Sequence, residues 1–242
     1  EPNTAGRSED SSRYGYDAVR WRETVDSDGQ VNFDARRSGY REKNQANVRL
    51  IRPLEGEHWQ SDVGLSLQYG ELDGSRLDDG DHWAASVHAV NTRDDLTVGV
   101  QVSRYSMDID PNNPWGTDEL IPLGAFDFAW PVASRAWVPS VSVSYRIDTP
   151  ELYWLDYVVP YVEYSSIVKS ASDQSDSELA VMGAAWANGD WYIYSDLAYS
   201  NGNFFVGDLG DDYSTVDGVG DFGVAGNNRW NYRFNLNLGY YF

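Results

Sequence analysis

At 242 residues with 18 basic and 38 acidic side chains, the chain carries a formal net charge of −20, which argues against nucleic acid as a partner, since such binders present a basic footprint. It has no cysteine, so disulfides, thiolate zinc sites and a cysteine nucleophile are excluded together. Its 17 Tyr and 10 Trp are rings of the kind that collect where an apolar phase meets water, yet no run approaches the ~20 apolar residues of a membrane helix.

Residues 1–13, "EPNTAGRSEDSSR", are polar and without period, and predict a flexible arm ahead of one all-β unit over 14–242. Residues 17–25 and 31–39 flank "DSDGQ", a hairpin-like turn with Asp-Gly. In this region Arg20 and Arg22 alternate with Val19, Trp21 and Val25, and Arg36 opposes Val31, Phe33 and Ala35. Val48 and Leu50, with Arg49 between them, mark a short strand ahead of Pro53. Val63, Leu65, Leu67 and Tyr69 then alternate with Gly64, Ser66 and Gln68. The same period two recurs at Trp83–Ala89, Leu96–Ser103 and Val141–Ile147, the last with Arg146 on its polar side. Segment 122–133 contains two prolines and suits an edge, a bulge or a loop. Residues 157–167 set Val158, Val162 and Tyr164 against Glu163, and the strands over 178–187 and 191–200, the second holding Asp196, are joined by the tight turn "NGD".

Connections fall into two classes. Residues 71–81, 106–121, 168–177 and 201–229 are long, while "NTRDD" and "NGD" are short. Counting strands back from the C-terminus puts "NTRDD" and "NGD" at one end only if 106–135 is a single excursion; a strand at 122–133 would exchange the ends. The expected architecture is a closed antiparallel transmembrane β-barrel of about twelve strands, with ten or fourteen as alternatives. A soluble sandwich also alternates, but its dry core favours Leu, Ile and Val. Here Tyr69, Trp83, Tyr145, Trp191, Tyr199 and Trp230 stand near strand ends on the apolar side, as an aromatic girdle would.

The last segment, "RWNYRFNLNLGYYF", is apolar or aromatic at Trp230, Tyr232, Phe234, Leu236, Leu238, Tyr240 and Phe242, with Arg233 and three asparagines among the alternate positions. It resembles the C-terminal signal of Gram-negative outer-membrane β-barrel proteins. That resemblance implies a bacterial outer-membrane location, lipid and lipopolysaccharide as surroundings, and recognition of Leu238, Tyr240 and the terminal Phe242 by the barrel-assembly machinery. The porin-like style of the whole chain implies a passive channel for small hydrophilic solutes or ions, with a homo-oligomer possible; the alternative is a non-channel barrel with an adhesive, structural or lipid-side enzymatic role.

The candidate chemistry is electrostatic. Arginine facing lipid costs ~2–4 kcal/mol at the midplane, so Arg20, Arg22, Arg36 and Arg49 are expected to point inward, as a wall that selects solutes or as ion-paired filling of a narrow lumen. Arg146, Glu163, Asp196 and Arg233 are further inward candidates. The acidic stretches "RLDDGD", with Asp78, Asp79 and Asp81, and 207–221 hold ligands of the type calcium prefers, but at no recognised spacing. Of His58, His82 and His88, His82 follows Asp81, which points to the opposite face, and His88 shares a face with Ser86, but no nucleophile motif surrounds them. No enzymatic activity and no cofactor are expected.

Overall fold

Strict alternation leaves each strand with one face that repels water, so strands must pair side by side and turn that face one way. A computed structural model of the protein describes residues 17–18, 20–21, 38–74, 77–112, 116–125, 128–172, 174–202 and 230–242. The strands are β1 (Asp17–Ala18), β2 (Arg20–Trp21), β3 (Ser38–Gly56), β4 (Trp59–Gly74), β5 (Gly80–Arg93), β6 (Leu96–Asp108), β7 (Leu120–Ala125), β8 (Phe128–Ala133), β9 (Arg135–Tyr145), β10 (Ile147–Asp148), β11 (Tyr157–Lys169), β12 (Ser177–Asn188), β13 (Trp191–Asn201) and β14 (Trp230–Tyr240). β1 and β2 lie one residue apart, as do β9 and β10. Taking each pair as one segment leaves twelve strands, all paired antiparallel, and no helix among the described residues.

The main sheet runs in the order β14-β13-β12-β11-β9-β6-β5-β4-β3-β2, with β10 pairing β11, and a three-stranded sheet joins β1-β7-β8. Neighbours in sequence are therefore neighbours in space, except that β9 follows β6 directly. The twelve strands are not one ladder, since the β7–β8 hairpin leaves it. Segment 122–133 thus forms strands, yet 109–134 is a single excursion between adjacent strands of the sheet. That fixes the ends. Two-residue turns at 57–58, 94–95 and 189–190, with the connection 149–156, lie at one end. At the other lie 75–79, 109–134, 170–176 and 202–229. Gly189 (φ 53°) and Asp94 (φ 51°) supply the left-handed residue that such tight turns need. Among the described residues the sheet does not close: β14 pairs only with β13. The expected arm at 1–13, most of the expected hairpin around "DSDGQ" and the stretch 207–221 lie outside the described residues.

Two prolines and one bulge shape the ladder. Pro53 does not end its strand, because β3 runs on to Gly56 and pairs there with Trp59; among the described residues no partner on the other side of β3 needs its missing N–H at that point. Pro160 pairs with Ala184 of β12 but interrupts the ladder toward β9. There β9 breaks, and the Arg146 N–H turns to the Asp95 carbonyl at 2.9 Å. In β3 the register slips between Lys43 and Ala46, with Asn44 left-handed (φ 50°) and its amide 2.6 Å from Glu71. The extra residue inverts the alternation. Tyr40 and Glu42 before it, and Arg49 after it, consequently share one face.

That face is concave. Residues drawn from β3, β4, β5, β6, β9, β11 and β12 all line one cavity, so the sheet wraps around. The convex face is exposed and apolar: Leu50 is 63% accessible, Val87 55%, Phe234 64% and Leu238 65%. The small packed core sits instead on the concave side at the long-connection end, where Tyr40, Leu72, Ile109 and Ile121 are buried against Leu77, Met107 and Val132. It pins the base of the hairpin over the concavity. The Tyr105 hydroxyl donates to the Ala133 carbonyl at 3.0 Å, and Arg135 pairs with Asp118 at 2.7 Å. The Tyr40 hydroxyl donates to the Asp78 carbonyl (3.1 Å) and accepts from the Asp110 N–H (2.6 Å), tying 75–79 to 109–134.

Tyr40→Phe keeps the shape of this core and removes both hydrogen bonds. It should cost about 1–3 kcal/mol, read as a lower denaturation midpoint together with faster proteolysis within 75–79 and 109–119. An unchanged midpoint and cleavage pattern would show that the hairpin is held by other contacts.

Candidate functional site

The concave face is roomy because small residues line it: Gly64, Ser66, Ser86, Gly99, Ser103, Ser140, Ser142, Ser144 and Gly183 all fall on its parity. Side chain after side chain of this size leaves space that the larger groups then share. Two adjoining cavities result. The first, about 500 Å³, is lined by Arg49, Asp62, His88, Gln101, Ser140 and Glu163 among others. The second, about 560 Å³, is lined by Tyr161, Tyr192, Tyr194, Asp196, Asn235 and, again, Glu163. Ser142, Glu163, Leu179 and Val181 border both, so the two form one continuous interior.

Charged side chains stand in both halves of this interior: Arg49 and Asp62 on β3 and β4, and Glu163 and Asp196 on β11 and β13. His88 lies flat over Gly64, where an added Cβ would sit 2.2 Å from the imidazole. No larger residue at 64 leaves the ring in place. The Tyr161 hydroxyl donates to the Asp196 carboxylate across two strands, and the Tyr192 and Tyr194 rings meet edge to face at 4.9 Å. The Ser86 hydroxyl accepts from Ser103 at 2.9 Å, so the serine that shares a face with His88 is engaged elsewhere.

The predicted residues separate accordingly. Arg49, Glu163 and Asp196 line the interior. Arg233 faces the same side, opposite Ala198 and two residues from Asn235, but borders neither cavity. Arg146 is at the rim of the short-turn end, its Nε 2.8 Å from Asp148 and its guanidinium 3.7 Å above the Tyr157 ring. Of the expected four-arginine wall only the Arg49 side chain is described. Arg20 is placed by its backbone, paired with Gly39, and Arg22 and Arg36 lie outside the described residues. Leu238 and Tyr240 are on the convex face, and Phe242 projects fully exposed beyond β14.

The calcium reading finds no support in the geometry. The Asp79 carboxylate accepts the Gly74 N–H at 2.9 Å, the Asp78 N–H donates to Asp110 at 3.1 Å, and Asp81 stands in β5 on the convex parity beside Trp83. Among the described residues no three carboxylate or imidazole groups converge as a metal site would require.

Sequence reasoning missed Tyr161, Tyr192 and Tyr194. Tyrosine reads as a girdle residue wherever it occurs, but the spacing 192, 194, 196 puts both rings on the side of Asp196, and that signal was available. It also missed Arg104, which shares the convex face with Leu96, Val98, Val100 and Val102 by parity. Its guanidinium lies 4.8 Å from the Trp137 ring and 5.9 Å from Trp83. Cation–π contact at the level of the aromatic residues offsets part of the cost of a charge there. Compared with known protein families, curated proteins and solved structures, the chain matches none.

At the long-connection end, Asp110 has a pKa below the ordinary carboxylate value because the Asn112 and Asp78 N–H groups donate to its charged form. A depressed folded pKa stabilises above the unfolded pKa, and the contribution is lost as pH falls through the folded one. Cleavage within 75–79 and 109–112 by an acid-active protease should therefore rise steeply below the normal aspartate range in the native protein. Asp110→Ala should show the raised cleavage already at neutral pH, read there with a protease active at that pH. A variant no more susceptible than the parent at neutral pH would show that this carboxylate does not hold the two connections together.

Proposed function

We propose that the chain is a transmembrane β-barrel of the bacterial outer membrane and acts as a passive channel for small hydrophilic solutes. The observation that carries this is the division of faces, with an exposed apolar convex surface around a polar, cavity-lined concave one. A soluble monomer rarely exposes an apolar patch of more than a few hundred Å², and this one continues across the whole sheet. In lipid the same surface is satisfied. From Trp230 to Tyr240 the convex side of β14 spans about 33 Å along the strand, or about 25 Å after the tilt usual in barrels, close to the height of a barrel's apolar band. Phe234, Leu236 and Leu238 occupy the middle of that span. The convex aromatics concentrate toward its ends: Tyr69, Trp83, Trp137 and Trp230 toward the long-connection end, Tyr145, Trp191 and Tyr240 toward the other.

An unpaired strand edge is untenable in hydrocarbon, so this reading requires the free edge of β14 to pair with the N-terminal part of the chain. Long connections then face outward from the cell and short turns the periplasm, the usual asymmetry of such barrels. Lipopolysaccharide and the assembly machinery, through Leu238, Tyr240 and Phe242, are the partners that go with this placement. The hairpin over the concavity favours a second reading, a plugged barrel with a structural or adhesive role. Single-channel recording separates the two.

Two outcomes are expected. Cysteines introduced at Leu236 and Asn237 should differ in vesicles, Asn237→Cys reacting with a membrane-impermeant thiol reagent and Leu236→Cys not; equal reaction would remove the barrel reading. In planar bilayers the protein should conduct with weak cation preference at low salt, fading as the Debye length falls from ~30 Å at 0.01 M to ~3 Å at 1 M, because its 38 acidic side chains outnumber its 18 basic ones. Arg49→Ala should raise that preference, read as a shifted reversal potential in a salt gradient. Strong anion selectivity in the parent protein would show that interior arginines outweigh the net charge, and silence in the bilayer would favour the plugged barrel.

A further inference from the structure

The interior of a water-filled barrel needs no aromatic side chains, yet three tyrosines wall one half of this one. Tyr161 on β11 and Tyr192 and Tyr194 on β13 border the cavity of about 560 Å³ together with Glu163, Asp196 and Asn235, and its lining contains no Arg, Lys or His. We propose that this half of the interior is a binding site for organic cations of the guanidinium type. The proposal deepens the channel reading and rests on it for physiological meaning, although the site itself could bind without conduction.

Three observations carry it. First, the charge is one-sided. One Asp196 oxygen accepts the Tyr161 hydroxyl, which leaves its second oxygen to face a ligand. Glu163 is exposed where the two cavities meet and, among the described residues, makes no ion pair. Aromatic faces are negative, so rings and carboxylates add to one field. Arg49, which would repel a cation, lines the other cavity and not this one.

Second, the same wall already holds a guanidinium. Arg146, near the rim, lies 3.7 Å above the Tyr157 ring and 2.8 Å from the Asp148 carboxylate. Tyr157 follows the same alternation as Tyr161, so Arg146 reproduces with the chain's own residues the arrangement proposed deeper in: a flat cation on a tyrosine with its N–H groups on a carboxylate. Third, the size is right. Small-ligand sites occupy roughly 300–1,000 Å³, and Gly183 keeps this one open, since a Cβ there would sit 2.5 Å from Asp196 and 2.9 Å from the Tyr161 ring. Arg233, two residues from Asn235 on the same face, does not border this cavity.

A neutral sugar could also stack on tyrosine and donate hydroxyls to the carboxylates, but it would gain no charge attraction from Glu163 and Asp196. The test uses the full chain in detergent and in planar bilayers, with arginine amide as probe and glucose as comparison. Calorimetry in detergent should show saturable heat with arginine amide and none with glucose. Glu163→Gln and Tyr194→Leu should each weaken binding by about tenfold, as loss of one charge or one cation–π contact implies, while Met182→Leu on the convex face should leave it unchanged. In bilayers the same amide should interrupt the current at concentrations that rise in parallel across the variants. Binding without any conductance would keep the site and end the channel reading. Conductance without binding, equal binding of glucose, or binding indifferent to Glu163→Gln would overturn the site.

Discussion

In the outer membrane proposed for this chain, a backbone N–H or C=O left unpaired costs several kcal/mol, and the fold follows from meeting that constraint. Side chains cannot meet it, because half of them are apolar by alternation. Only strand-to-strand pairing can, and the ladder from β2 to β14 supplies it almost without interruption. Once the ladder forms, period two does most of the rest: the majority of apolar residues fall on one surface and the majority of small or polar ones on the other. Arg104 stands on the convex face, and Leu179 and Val181 on the concave one. The interruptions of the ladder have local causes. Pro160 breaks the pairing and releases the Arg146 N–H to Asp95, and the bulge at Asn44 turns Arg49 to the same side as Tyr40. Neither disturbs the division of faces. The bulge preserves it.

Packing in the ordinary sense is confined to one place. Tyr40, Leu72, Ile109 and Ile121 form a core where the 109–134 excursion returns to the sheet, and the same contacts carry the hairpin over the concave side. The interior below it is shaped by residues that are small, because glycine and serine on the concave parity leave room for His88, Tyr161 and Tyr194. Structure and chemistry are thus linked through size more than through charge. Arg49 and Glu163 border one cavity across strands whose concave positions are mostly small, Ser66, Ser86, Gly99, Ser140 and Ser142 among them.

Much of this was legible in the chain. Val63–Tyr69, Leu96–Ser103 and Trp230–Tyr240 announce their strands and their facing by alternation alone, and Arg49, Glu163 and Asp196 were placed on the polar side correctly. What could not be read was long-range. Nothing local to 122–133 tells whether its two short strands join the main ladder or leave it; that is decided by Ile121 meeting Tyr40 and Leu72, far away in sequence. The length of β3 was hidden by Pro53, whose missing N–H matters only where a neighbour needs it. Tyr161 and Arg104 were not singled out from the sequence, although parity alone places each, Tyr161 with Glu163 and Arg104 with Val102.

The central claim is that the convex surface faces lipid, and the convex tryptophans report on it directly. Trp59, Trp83, Trp137, Trp191 and Trp230 are all partly accessible there, and most stand near strand ends. With the protein reconstituted in bilayers, tryptophan emission should be quenched by lipids brominated on the acyl chain, more strongly when the bromines are shallow than when they are at the bilayer centre. Aqueous iodide should quench it weakly. Strong quenching by iodide with no effect of either brominated lipid would place these rings in water and contradict the account.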